Sequence, residues 1–376
     1  MDNSLKKIIA DGLASLKNSF SSGGDKNQAL GVDIGSSSIK VVQLKKKGGR
    51  AVLETYGVIS LGPYGGTSVG ALTSLKTEDI ARALKDVMKE SNVTTKSSIL
   101  SIPSLASLIF LVTLPWTVKE SELENIIPIE ARKYIPVPIS EVTLDWFVIP
   151  NEDEMQENDS PSNIKRNREV LVVAIHNETL TQYREILKQT GLESDAFEME
   201  IFSNIRSTFN NELAPFLIVD FGASKTKVSI VESGVVKVFH VVNRGSHDIS
   251  RNISQALGIT FEEAEKLKRM VGLDASVNPE AEKIIRLAVN YIFTDINSIV
   301  FAYQKKYNKN ISKVFLSGGG SLLKGLLEAA RENFRVEVFY SNPFSKTEAP
   351  AFLEPVLENS GPEFAVAVGL ALRQLS

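Results

Sequence analysis

Apolar residues recur along this chain at two periods, and the alternation between them predicts an α/β protein. "ALGVDIGSSSIKVVQLKKKGG" reads as a strand, a Gly/Ser turn, a second strand and a Gly48-Gly49 turn. Helical spacing follows at Thr77–Glu90, with Ile80, Ala81, Leu84, Val87 and Met88 on one face. Ser97–Val118 carries no charge and is long enough to cross a bilayer. Its serines, Pro103 and Pro115 favour two buried strands, with a membrane span as the alternative. A helix near Lys119–Tyr134, a strand at Val142–Ile149 and a polar loop follow, then the strand "VLVVAIH" and a helix at Asn177–Thr190. A further strand and helix carry the chain to about Asn211. Before all this, Leu5, Ile8, Ile9, Leu13, Leu16 and Phe20 recur at helical spacing ahead of a flexible "SSGGDKNQ" linker. That helix is expected either to dock on protein or to lie on a membrane surface.

The most informative pattern is a repeat. "LGVDIGSSSIKV" at Leu30–Val41 overlays "LIVDFGASKTKV" at Leu217–Val228, with Leu, Val, Asp, Gly, Ser, Lys and Val recurring in register. Each copy is an apolar strand, an Asp-x-Gly-x-Ser turn and a second strand. An internal duplication is expected, each half contributing one hairpin to a shared cleft.

Composition narrows the chemistry. The 376 residues contain no cysteine, which excludes disulfides, thiolate catalysis and sulfur-ligated metals. Three histidines (His176, His240, His247) make a multi-histidine metal site a poor expectation. The 42 basic and 45 acidic residues nearly balance, so no nucleic-acid footprint is evident. Asp11 interrupts the first apolar stretch and no small-residue cleavage site follows, so a secretory signal is not expected.

The repeated hairpin suits polyphosphate. Glycine lets the backbone approach the ligand, while turn N–H groups and serine hydroxyls donate to phosphate oxygens. This marks Gly35, Ser36, Ser37, Ser38 and Lys40 in one copy, and Gly222, Ala223, Ser224, Lys225 and Thr226 in the other. The carboxylates of Asp33 and Asp220 suit a hydrated magnesium ion, reached through water. A third element, "LSGGGSLLKGL", offers Gly318, Gly319, Gly320 and Leu322 to a base or ribose, with a helix expected to begin near Ser321. In "TFEEAEKLKRM", Glu265, Lys268 and Arg269 share one helix face. Taken alone, such a face is commonly just solvated.

In this order, the four pieces resemble the actin/sugar-kinase/DnaK superfamily. "DIGSSSIK" is similar to its first phosphate motif, "DFGASKTK" to its second and "LSGGGSLLKGL" to its adenosine motif, while "AEKLKR" resembles the ribose- and adenine-contacting helix of DnaK-type chaperones. From Leu30 onward the chain resembles the PilM family, actin-like proteins of type IV pilus assembly related to FtsA. The stretches that carry this are "LPWTVKESELENIIPIEARKYIPVPISEVTLDWFVIP", "ITFEEAEKLK" and "GPEFAVAVGLALR". Two departures stand out: Lys225 replaces a small hydroxyl residue, and Gly245-Ser246 stands where Gly-Gly is usual.

The resemblance implies duplicated ribonuclease-H-like (actin-like) lobes around a nucleotide cleft, with an FtsA-type insertion subdomain. Lobe one is placed at 29–93 and 191–214, with the apolar helix of 356–376 returning to it. The insertion is placed at 94–190, lobe two at 215–243 and 311–355, and a helical subdomain at 244–310, after an N-terminal extension at 1–28. ATP and Mg2+ are the implied ligands, with slow or no hydrolysis because no water-positioning residue is evident. The implied role is a cytoplasmic scaffold of the inner-membrane pilus platform. Its partners are the N-terminal peptide of PilN and other inner-membrane and motor components, self-association being left open. Ile129, Tyr134 and Ile135, just before Pro136 and Pro138, are the candidate peptide groove. The alternatives are an FtsA-like filament-forming membrane adaptor and a small-molecule kinase. The terminal helix has no polar face for the first, and no acceptor-activating base is apparent for the second.

Overall fold

The computed structural model describes residues 27–149, 167–210 and 212–375. The helix expected at Leu5–Phe20 and most of the polar loop lie outside the described residues. Two compact units divide the described chain, one of residues 102–185 and one of 27–101 with 186–375.

The larger unit contains two five-stranded sheets of the same design. In the first, β1 (Gln28–Ile34) pairs antiparallel with β2 (Ser38–Lys47), which pairs antiparallel with β3 (Arg50–Ser60). Helix α1 (Thr77–Glu90) then leads into β4 (Ser97–Ile102), parallel to β1, giving the order β3-β2-β1-β4-β8 with β8 at Glu193–Met199. In the second, β9 (Phe216–Phe221), β10 (Thr226–Glu232) and β11 (Val235–Val242) form the antiparallel meander. Strands β12 (Lys313–Ser317) and β13 (Glu337–Tyr340) add in parallel, giving β11-β10-β9-β12-β13. The repeat is thus a repeat of fold. The cross-strand partners match as well, Asp33 opposite Lys40 and Asp220 opposite Lys227.

Strand β4 corrects the insertion boundary. Residues from Thr94 were expected in the insertion, yet Ser97–Ile102 is buried along its length and belongs to the first sheet. The charge-free Ser97–Val118 is two strands, β4 and β5 (Ser107–Pro115), joined by a 3-10 turn at Ser104–Ala106.

Helix α4 (Glu200–Thr208) and the long C-terminal helix α9 (Glu354–Leu375) pack on the first sheet, α9 lying against both β1 and β2. The approach is close: a Cβ on Gly31 would stand 1.9 Å from the Ala367 carbonyl oxygen, so only glycine fits there. The second sheet is covered by α5 (Ser246–Leu257), α6 (Phe261–Val271), α7 (Pro279–Tyr307) and α8 (Leu326–Phe334). By length and composition alone, helix α7 contains a stretch apolar enough to span a membrane. Here Ile285, Val289, Ile292, Phe293 and Ile296 face the core of this lobe.

The smaller unit is a three-stranded antiparallel sheet, β5-β7-β6, with β6 at Val142–Ile149 and β7 at Asn167–His176. Helix α2 (Leu123–Ala131) packs Leu123 and Ile127 against Val112, Val170 and Val172. It is shorter than expected, because a 3-10 turn at Glu120–Glu122 precedes it and the Pro136/Pro138 segment follows. Helix α3 (Asn177–Thr190) contains the division between the units.

Candidate functional site: a cleft between the duplicated sheets

The larger unit holds a cleft of about 430 Å³ at the ends of the two repeated hairpins. Both turns close alike: the Gly35 amide donates to the Ser38 carbonyl at 3.0 Å, and the Gly222 amide to the Lys225 carbonyl at 3.1 Å. Their outward sides line the cleft with Gly35, Ser36, Ser37, Ser38 and Lys40 from one lobe and Gly222, Ala223, Ser224 and Lys225 from the other. Thr226 does not join them. It is completely buried, and its hydroxyl donates to the Arg244 carbonyl at 2.9 Å, because strand alternation turns it away from the opening. The departure at Lys225 leaves an ammonium at the rim, 2.9 Å from the Asn243 side-chain oxygen.

Gly318, Gly319, Gly320 and Leu322 form another wall. Gly318 has φ +81°, and a Cβ there would meet Asp220 Oδ1 at 2.4 Å. Its amide donates to the Pro362 carbonyl at 2.8 Å, tying this loop to α9. The helix expected near Ser321 is replaced by a 3-10 turn at Gly319–Leu322, and α8 begins only at Leu326. The anion-favouring helix N-terminus expected at this loop is therefore absent from it.

Glu265, Lys268 and Arg269 of α6 also line the cleft, and the first two are buried rather than solvated. Glu265 Oε2 accepts from Lys268 Nζ and from the Ser250 hydroxyl, both at 2.6 Å, and Oε1 accepts from Arg269 Nε at 2.8 Å. Burial raises the Glu265 pKa, but Lys268 and these hydrogen bonds outweigh it and hold the carboxyl below its usual range. Burial pushes the Lys268 ammonium down, with Glu265 opposing. Lys268 also donates to the Ser246 hydroxyl at 2.8 Å, so Ser246, the departure from Gly-Gly, becomes a partner of this cluster.

Several lining residues were not foreseen. Glu200 opens α4, and Lys227 bridges it to Asp220, with Nζ at 2.6 Å from Glu200 Oε2 and 3.1 Å from Asp220 Oδ2. Burial lowers the Lys227 pKa, yet Asp220 and Glu200 outweigh that and hold it well above the ordinary lysine value. One signal for Lys227 was present, its equivalence to Lys40 in the repeat; Glu200 had none, being remote in sequence from both hairpins. Ser246, His247 and Glu363 also line the cleft without having been expected there. Burial lowers the His247 pKa and raises that of Glu363.

The two aspartates are not equivalent as metal carboxylates. Asp33 is buried, accepts from the Ser101 hydroxyl at 2.8 Å through Oδ1, and has its pKa raised, chiefly by burial. Its Oδ2 takes no hydrogen bond among the described residues, so Asp33 suits the water shell of a hydrated divalent ion. Asp220 instead has Oδ2 on the Lys227 ammonium, a cation already in place, which fits that role less well. Among the described residues, no group of three or more His, Cys, Asp or Glu is placed to hold a metal.

In the smaller unit, Ile129 and Tyr134 are exposed at 60% and 48%, and Tyr134 stacks on Phe110 at 4.7 Å. Ile135 departs from the groove expectation. At 7% exposure it belongs to the core with Ala131, Val142 and Ala174.

Comparison with known proteins agrees with this architecture. The chain is similar to the cell division proteins FtsA of Streptococcus pneumoniae (21% identity, covering 82% of this chain and 74% of the relative) and of Neisseria meningitidis (20%, covering 83% of each). Among solved structures, a PilM-PilN type IV pilus biogenesis complex superposes with TM-score 0.78 at 24% identity, over 93% of this chain and 98% of that one. The ethanolamine utilization protein EutJ of Carboxydothermus hydrogenoformans superposes with TM-score 0.53 at 15% identity, over 98% of both chains. These structural likenesses show the actin-like fold. The family model for the type IV pilus assembly protein PilM matches residues 31–375, and the chain therefore belongs to the PilM family.

Proposed function

We propose that this protein is an ATP-binding scaffold of the type IV pilus assembly platform, working on the cytoplasmic face of the inner membrane through partner proteins. The observation that carries the nucleotide part is the convergence of two turns closed by the same glycine-amide hydrogen bond and a triple-glycine loop on one cleft. In this reading the Gly35–Ser38 and Gly222–Lys225 turns and Lys40 hold the phosphates. Gly318 to Gly320 and Leu322 face the base, and Glu265 with Lys268 and Arg269 faces the ribose. Asp33 is the residue that would meet a hydrated magnesium ion, whose chemistry there would be to neutralise phosphate charge.

The partner reading rests on family membership and on the neighbour described as a PilM-PilN complex. The N-terminal peptide of PilN is the partner proposed, with Ile129 and Tyr134 as the exposed apolar contacts. A pull-down of the full chain with synthetic PilN N-terminal peptides, with and without ATP, tests both parts. Peptide capture that responds to ATP supports the scaffold. Nucleotide binding without capture of the peptide removes PilN as partner and leaves the cleft assignment standing.

A further inference from the structure

Lys40 and Lys227 hold the same place in the two repeated hairpins, each directly across its strand pair from an aspartate, and both line the cleft. Their surroundings differ. Lys40 has no hydrogen bond or close ion pair among the described residues. Lys227 is locked between two carboxylates, Glu200 from the start of α4 and Asp220 from β9, with all three side chains largely buried. One hairpin thus offers its ammonium to the cleft, whereas the other spends its ammonium on the cleft's own acids.

We propose that Lys227 is a resident cation of the cleft. It pairs with Asp220 and Glu200, the carboxylates that line the cleft near Asp33, and it supplies the positive charge there itself. The consequence is triphosphate binding that depends only weakly on magnesium. Magnesium binds through one or two carboxylates together with substrate phosphates and keeps most of its waters. Asp220 Oδ2 and Glu200 Oε2 are both already on the ammonium. To recruit one acid, an incoming ion would have to take a partner from a buried lysine, and to recruit both it would leave that lysine unpaired, which is strongly unfavourable. Without Lys227 the phosphate end would set Asp33, Glu200 and Asp220 against Lys40 and Lys225 alone, and a polyphosphate would then need an added cation to enter.

This inference rests on the nucleotide reading of the cleft, and its test separates the two. Binding of a fluorescent ATP analogue to the full chain is measured with magnesium and with EDTA, for wild type, Lys227→Met and Lys227→Arg. The ratio of the two dissociation constants is expected below about ten in wild type and Lys227→Arg, and at least about tenfold larger in Lys227→Met, since close charges in a partly buried site commonly change affinity by that much or more. A ratio above about ten in wild type, or one that Lys227→Met leaves unchanged, overturns the resident-cation role while the nucleotide reading survives. If Lys227→Met does not fold, the wild-type ratio decides alone. Absence of analogue binding to wild type under both conditions overturns the nucleotide reading, and this inference with it.

Discussion

Glu198 is buried just before α4 and is gripped from two sides. Arg206 meets it in a fork at 2.6 and 2.7 Å, the Ser203 hydroxyl donates to it at 2.6 Å, and Arg373 of α9 stands 3.4 Å away. The clamp matters to the cleft because Glu200 lies two residues on. Burial raises the Glu198 pKa, but the Arg206 pair, its hydrogen bonds and Arg373 outweigh it and hold the carboxyl below the ordinary range. A depressed folded value means that the unfolded chain binds the proton more readily. Stability from Glu198 is therefore fully present above the unfolded carboxylate pKa of about 4.3 and is lost as pH falls through the folded value. Glu198→Gln should cost about 3–5 kcal/mol near neutrality, as for a broken buried pair. It should also flatten the loss of stability below about pH 4.3. Urea unfolding across a pH series reads both effects; an acid limb as steep as wild type would count against the clamp.

At the level of elements, the seating of α9 on β1 depends on the missing side chain at Gly31. The clashing atoms are the backbone of Ala367 and Ala371, which cannot rotate away as a side chain can. Gly31→Ala should lower stability by at least the ~1–3 kcal/mol typical of overpacking, seen as a fall in thermal midpoint. In the smaller unit, Tyr134 stands exposed over Phe110 beyond the end of α2, whereas its neighbour Ile135 is core. Tyr134→Ala should fold normally and weaken binding of the PilN peptide by about 1–2 kcal/mol, within the range of an interface aromatic. Titration calorimetry with the synthetic peptide measures this; unchanged affinity would move the groove elsewhere.

At the scale of the whole molecule, the duplicated sheets aim two phosphate-type turns, a glycine loop and the α6 acid–base cluster at one opening. A ligand that binds only the folded form stabilises it by about 2.7 kcal/mol at a hundredfold excess over its dissociation constant. ATP should accordingly raise the thermal midpoint, and Gly318→Ala, which forces a Cβ onto Asp220 at positive φ, should reduce that rise. Hydrolysis should be slow. Glu200 faces the cleft, but its carboxylate is engaged by Lys227, leaving it badly placed to take a proton from water. Single-turnover measurement checks this, and turnover of several per second would refute it.

The hairpins were legible from sequence because their determinants are local. An apolar run, an aspartate, a glycine and a hydroxyl residue within a few positions specify a strand, a tight turn and an exposed set of donors, and the second copy repeated the message. The α6 cluster was legible as a face but not as a buried one, since i, i+3 and i+4 spacing states which residues are neighbours and not what covers them. Tertiary structure decided the rest. Only the parallel pairing of β4 with β1 assigns Ser97–Ile102 to the first sheet, because strand propensity carries no information about which sheet will accept the strand. Thr226 and Ile135 were assigned by residue type and proximity, and then removed from their sites by the direction in which the backbone points them. Lys227 was visible as a repeat of Lys40, but its pairing with Glu200 joins residues from different secondary elements. Such a contact is created when the sheet and its helix pack, and charge at long sequence separation leaves no periodic trace.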